Sequence, residues 1–155
     1  MSKVLVISFS SSGKTETMAN FIAEGIRFTG NTAVLKKLND VNSIEQLSDY
    51  NGIIIGSPTF SMDIPEPVKK FLEKLKTGRF QGKSGGAFGP YLHDEAYRHN
   101  EHAPALILEF LQNELKMNPV SLGALSLKED LIETRDGMKA CQDYGRKFGQ
   151  ELSDK

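Results

Sequence analysis

The chain has 155 residues, 39% apolar and 25% charged, the size and balance of one soluble globular domain, expected to span residues 1–155. Its net charge of −1 provides no field for nucleic acid or an anionic membrane, no apolar run approaches the roughly 20 residues of a spanning helix, and Met1-Ser2-Lys3 enters a strand pattern directly, so nucleic acid, membrane and a signal peptide are not expected. The single cysteine, Cys141, excludes an internal disulfide and a cysteine-ligated zinc or iron–sulfur site within one chain, and it fits a reducing, cytoplasmic setting.

Lys3–Phe9 is a nearly continuous apolar run, the pattern of a parallel strand covered on both faces. Thr15 to Phe28 follows as a helix with Met18, Ile22 and Ile26 on one face, and Gly30 supplies the stop. Thr32–Leu38 reads as a second, more polar strand at an edge. Ser43–Ser48 reads as a short helix capped by Ser43. Gly52-Ile53-Ile54-Ile55-Gly56 is the most hydrophobic strand and the expected centre of the sheet. Pro65–Lys76 is a helix with Val68, Phe71, Leu72 and Leu75 inward, its prolines tolerated in the first turn. Ser84–Phe88 is a glycine-rich fourth strand, and Pro104–Lys116 a helix with Ile107, Phe110, Leu111 and Leu115 on one side. Val120–Leu127 is a fifth strand. Arg135–Leu152 closes the chain as a helix carrying Met138, Cys141, Gly145, Phe148 and Leu152 at helical spacing.

Strands alternating with helices imply a parallel sheet with helices on both faces. Such sheets bind ligands beyond the carboxyl ends of their strands. Three loops leave those ends, Ser10–Thr15, Ser57–Asp63 and Gly89–Glu95, and they are expected to converge. The first is rich in hydroxyls and opens a helix, where free N–H groups and the helix dipole favour a phosphate. Gly13 permits a left-handed turn, and Lys14 adds a charge able to pair with a phosphate. Gly13-Lys14-Thr15 also matches the end of a Walker A loop. Ser8, however, stands where the leading glycine belongs. The strand Ile53–Ile55 then runs into Gly56-Ser57-Pro58-Thr59, with no carboxylate for magnesium before Asp63. His93, His99 and His102, interspersed with Asp94, Glu95 and Glu101, match no metal template and read as a solvated polar loop.

Phe9-Ser10-Ser11-Ser12-Gly13-Lys14-Thr15-Glu16 resembles the phosphate loop of the flavodoxin-like family, and Thr17-Met18-Ala19 continues the likeness. Ile55-Gly56-Ser57-Pro58-Thr59-Phe60 is similar to the loop that covers one flavin face. Gly82-Lys83-Ser84-Gly85-Gly86-Ala87-Phe88-Gly89-Pro90-Tyr91 resembles the fourth strand and its loop, closest in style to the flavodoxin domain of flavo-diiron proteins. The resemblance covers essentially the whole chain. It implies an α/β, flavodoxin-like three-layer sandwich with a five-stranded parallel sheet in the order 2-1-3-4-5, of the short-chain type.

By the same resemblance the cofactor is FMN. Ser10, Ser12 and Thr15 are implied to meet its phosphate with hydroxyls, and Ser11, Gly13 and Lys14 with backbone N–H groups. Ser57, Pro58, Thr59 and Phe60 are implied to line the isoalloxazine, Phe60 as the stacking ring. Gly89, Pro90 and Tyr91 fall on the other side, and His93 and Asp94 near the pyrimidine end. Three features depart from the family pattern: Lys14 replaces an asparagine, the net charge is nearly neutral, and Ser61 replaces the glycine that follows the stacking aromatic. A positive φ at Ser61 costs roughly 1–2 kcal/mol, which predicts weak stabilisation of half-reduced flavin.

The implied function is electron transfer between redox partner proteins, a reductase and an acceptor, through non-covalent FMN, with no catalytic side chain and no metal. An FMN-dependent NAD(P)H:quinone reductase is the alternative within the family, with NAD(P)H and quinone as its partners. A P-loop NTPase using Lys14 and Thr15, and a binding module without FMN, are the alternatives of other classes.

Overall fold

In the computed structural model the described residues are 2–10, 12–60, 63–92 and 102–154. The strands are β1 (Lys3–Ser8), β2 (Thr32–Lys37), β3 (Gly52–Gly56), β4 (Ser84–Tyr91), β5 (Asn118–Pro119) and β6 (Leu125–Lys128). The helices are α1 (Lys14–Phe28), α2 (Glu66–Leu75), α3 (Ala103–Asn113) and α4 (Arg135–Ser153). All sheet pairings are parallel, in the order β2-β1-β3-β4-β5, with β6 continuing beside β4. The expected doubly wound sheet is therefore present.

Alternate residues of the central strands serve opposite layers, as the two-residue period of a strand requires. Leu5, Ile7, Ile53 and Ile55 pack with Val68, Phe71 and Leu72 of α2 and with Ile107 and Leu111 of α3. Val4, Val6 and Ile54 pack with Met18, Ile22 and Ile26 of α1 and with Cys141, Tyr144 and Phe148 of α4. Both faces of β1 and β3 are thus dry, which explains their nearly unbroken apolar sequence. Cys141 lies fully inside this second layer, and burial pushes its thiol up to about 12. Ser43 caps as expected, its Oγ accepting from the Glu45 N–H at 3.2 Å, although Ile44–Asp49 is a 3-10 helix.

The fifth strand departs from expectation. Val120–Leu127 is not one strand: β5 pairs with Ser84 and Gly85, β6 pairs with Phe88 to Tyr91, and the chain between them turns away. From Gly85 to Phe88 there are three steps on β4, and from Pro119 to Leu125 there are six. The excess leaves Ala87 without a strand partner on that side. Tyr144 takes the place of the ladder. Its buried hydroxyl accepts from the Ala87 N–H at 3.1 Å and donates to the Gly123 carbonyl at 2.7 Å, with the Ala87 carbonyl 3.2 Å away. Desolvation raises the phenol pKa, so it remains a neutral donor.

β4 also runs three residues beyond the expected Phe88, through Gly89 and Pro90 to Tyr91. Proline is tolerated because β3 stops pairing at Phe88. Phe88 and Pro90 face the same side of the strand, so the N–H that Pro90 lacks points where no ladder remains. No described helix is long and apolar enough to cross a membrane.

Candidate functional site

The parallel register brings Ser8, Gly56 and Phe88 side by side at the carboxyl edge of β1, β3 and β4. Two backbone bonds continue past the strand ends, Phe9 N–H to Gly56 O and Ser57 N–H to Phe88 O, each 3.0 Å. The loops after β1 and β3 therefore leave the sheet side by side, while β4 continues beyond them to Tyr91. Ser11, Ser61, His93 and Asp94, expected to contribute, lie outside the described residues, as do Met62, His99 and Glu101.

The first loop leaves the start of α1 uncapped. Gly13 sits at the N-cap of α1 with φ 86°, a left-handed conformation that a side chain resists, and no side chain caps the helix. The first-turn N–H groups consequently have no intrahelical acceptor. The Gly13 N–H donates to Ser10 Oγ at 2.7 Å, which shapes the turn and leaves the Ser10 hydroxyl proton available. Ser12 is exposed beside it. Thr15 is only 1% exposed, yet its Oγ1 has no hydrogen-bond partner among the described residues. A buried unpartnered hydroxyl costs roughly 1–3 kcal/mol. Its position in the first turn of an uncapped helix fits a phosphate that supplies the missing partner.

Lys14 does not complete a Walker-type cradle. Its Nζ pairs with Glu133 Oε1 at 3.1 Å, in the turn that precedes α4. The sequence offered no signal for this partner, which lies 119 residues away along the chain. No carboxylate follows β3 at its end, where Gly56 and Ser57 are both buried.

The second loop is firmly held. Ser57 is buried, its Oγ donating to the Pro58 carbonyl at 2.8 Å. Thr59 Oγ1 accepts from the Ala103 N–H at 2.8 Å, so this loop caps α3. Phe60 is 45% exposed at the rim, and it exchanges both backbone bonds with Asp63, at 3.0 and 2.9 Å. The Asp63 carboxylate accepts from Lys69 Nζ at 2.6 Å and from the Ile64 N–H at 2.7 Å. The Lys69 bond, followed by the Ile64 bond, holds the Asp63 pKa below the ordinary carboxylate value.

The third segment is half strand. Gly89 and Pro90 are buried within β4, and a Cβ at Gly89 would overlap the Ser57 carbonyl and crowd Pro104 Cγ at 3.1 Å. Only glycine allows β4, the Ser57 loop and the start of α3 to meet there. Tyr91 is partly exposed and stacks on His102, with centroids 4.3 Å apart and planes at 26°. His102 was expected in a solvated loop, but it is 1% exposed at the N-cap position of α3. The available signal was Pro104, which marks a helix start and places residue 102 just before it. Among the described residues no group of His, Cys, Asp and Glu is arranged to hold a metal.

A parallel sheet with helices on both faces, and an uncapped helix start at its carboxyl edge, define a doubly wound α/β protein. The flavodoxin family model matches residues 6–138, and the chain belongs to the flavodoxin family. A flavodoxin of Clostridium saccharobutylicum is 34% identical over 86 residues, covering 56% of this chain and 54% of that protein. An NAD(P)H dehydrogenase (quinone) of Azorhizobium caulinodans is 30% identical over 142 residues, covering 79% of this chain and 71% of that protein. The chain spans about half the length of the first curated relatives it matches, 54% and 56%. Among solved structures, a flavodoxin from the domain Archaea superposes with a TM-score of 0.83 at 28% identity, covering 97% of this chain and 99% of that one. Oxidised flavodoxin 1 of Bacillus cereus gives 0.79 at 29% identity, covering 96% and 98%.

Proposed function

We propose that residues 1–155 act as one FMN-binding domain that carries electrons between a reductase and an acceptor protein in the cytoplasm. The observation that carries this reading is the Thr15 hydroxyl, buried and unpartnered in the uncapped first turn of α1. In this reading Thr15, Ser10 and Ser12 donate hydroxyl protons to the FMN phosphate, while Ser11, Gly13 and Lys14 contribute backbone N–H groups. The dipole of α1 offsets the phosphate charge, and the Lys14 ammonium remains with Glu133. Phe60 covers one isoalloxazine face, with Ser57, Pro58, Thr59 and Ser61 beside it. Tyr91, carried on Gly89 and Pro90, lies against the other, and His93 and Asp94 fall near the pyrimidine end. These residues bind and orient the cofactor and exclude water. Bound FMN supplies the redox chemistry.

Purified protein titrated with FMN tests the reading. A yellow complex with strongly quenched flavin fluorescence is the expected result. A chain that stays colourless in excess FMN would instead be a family member without flavin. A second reading, an NAD(P)H:quinone reductase, is favoured by the Azorhizobium caulinodans relative, which matches 79% of this chain. Oxidation of NADPH by the loaded protein, with quinone and no added reductase, would establish it over the carrier.

A further inference from the structure

The two segments proposed above to flank the flavin ring, those of Phe60 and Tyr91, are not held by their own strands alone. Both are fastened to the same three residues, the start of α3. Thr59, from the loop after β3, accepts the Ala103 N–H at 2.8 Å. Tyr91, at the end of β4, lies face to face with the His102 ring at 4.3 Å. Pro104 closes the gap behind Gly89, where β4 and the Ser57 carbonyl already touch. All three residues of the helix start are buried.

We infer that His102 is a positioning residue that sets the angle and depth of the Tyr91 ring, and thereby the width of the slot between Tyr91 and Phe60. This rests on the FMN reading above. Tyr91 ends its strand and is only partly buried, so its ring has rotational freedom unless something packs against it. The His102 plane takes one face, and in this reading the flavin meets the opposite one. The His102 main chain is anchored because its carbonyl accepts from the Ala105 and Leu106 N–H groups at 3.1 and 3.3 Å, and its ring is packed in place, being 1% exposed. A flat ring of this size is needed at residue 102. A branched aliphatic fills the volume but offers no plane, so offset stacking is lost. The group affected is the flavin ring system and not the phosphate, which the Thr15 loop holds at the other end.

The test compares the unaltered protein with His102→Phe and His102→Leu. FMN and riboflavin are each titrated by fluorescence quenching, and the Tyr91 ring proton shifts are followed by NMR in flavin-free protein. His102→Leu is expected to move the Tyr91 resonances and to weaken FMN and riboflavin by the same factor, about tenfold. His102→Phe is expected to restore both affinities to within about threefold. Unchanged affinities for both flavins in His102→Leu, with the unaltered protein binding normally, would overturn the role of His102 and leave the FMN reading standing. Weakening of FMN alone would do the same, since it would place the effect at the phosphate. If the unaltered protein quenches neither flavin, the FMN reading falls and this inference falls with it. Should His102→Leu fail to fold, His102→Gln, polar and of similar length but without a ring, takes its place, and equal loss of both flavins is again expected.

Discussion

Replacing Thr15 with valine should move flavin-free stability and FMN affinity in opposite directions. Valine has the shape of threonine with a methyl in place of the hydroxyl. In the flavin-free protein Thr15 Oγ1 is buried without a partner among the described residues, a state that costs roughly 1–3 kcal/mol. Exchanging it for a methyl removes that cost, so Thr15→Val should be more stable by about 1 kcal/mol. For a chain of this size, that raises the melting temperature by roughly 2–4 °C. The same change removes a donor to a phosphate, a charge-assisted bond of about 1.5–3 kcal/mol. FMN affinity should then fall by roughly 10- to 150-fold, while riboflavin, which lacks the phosphate, is unaffected. Thermal unfolding by circular dichroism and flavin fluorescence titration read the two effects separately. A variant that melts lower and binds FMN within twofold of the unaltered protein would refute the reasoning and make Thr15 an ordinary structural hydroxyl.

Glu133→Gln removes the ion pair of Lys14 with Glu133, and the pair is partly exposed, so the effect is modest. FMN should bind several-fold tighter with a steeper salt dependence, measured as dissociation constants across ionic strength, and riboflavin should not change. Tyr144→Phe leaves the Ala87 N–H buried and unpaired behind the split fifth strand. It should lose about 1–3 kcal/mol in urea unfolding, with flavin affinity little altered. Asp63→Asn tests the ion pair with Lys69. Because the folded pKa of Asp63 is depressed, its contribution is present above the ordinary carboxylate value of about 4 and is lost as pH falls through the folded value. The difference in melting temperature between the two proteins should accordingly be small, positive for Asp63 near neutrality, and absent at pH 2.

The layers of this fold were legible because the central strands alternate faces while remaining apolar on both, and because each helix shows one apolar side. The place of Gly13 just before α1, and the common edge at which the loops after β1 and β3 emerge, followed from the same alternation of strand and helix. The split between β5 and β6 left a single mark, Gly123 within the expected strand, which takes a φ of 75°; the group that compensates, Tyr144, sits in a helix and gave no sign of its role. Pro90 argued against a strand, and only the early end of β3 makes it acceptable there. Lys14 was misleading for a related reason. A lysine after a phosphate-loop glycine suggests an anion, but tertiary packing of α1 against α4 supplies Glu133 first. His102 was hidden by its company, a run of polar and charged residues in which one member turns inward to meet an aromatic ring.

The break in the fifth strand has a practical side. Ordinarily a chain cannot be lengthened inside a sheet, because every added residue shifts the register of all that follow. Here the shift is already absorbed, with a phenol from the far layer holding Ala87 where a strand would have been. Residues 121–122 are exposed, at a margin of the sheet away from β1 and β3, and loop closure grows costly only slowly with length. This short turn is therefore the natural port for grafting: a peptide tag, a fluorophore site or a second domain placed there leaves the strands that carry the phosphate loop in register.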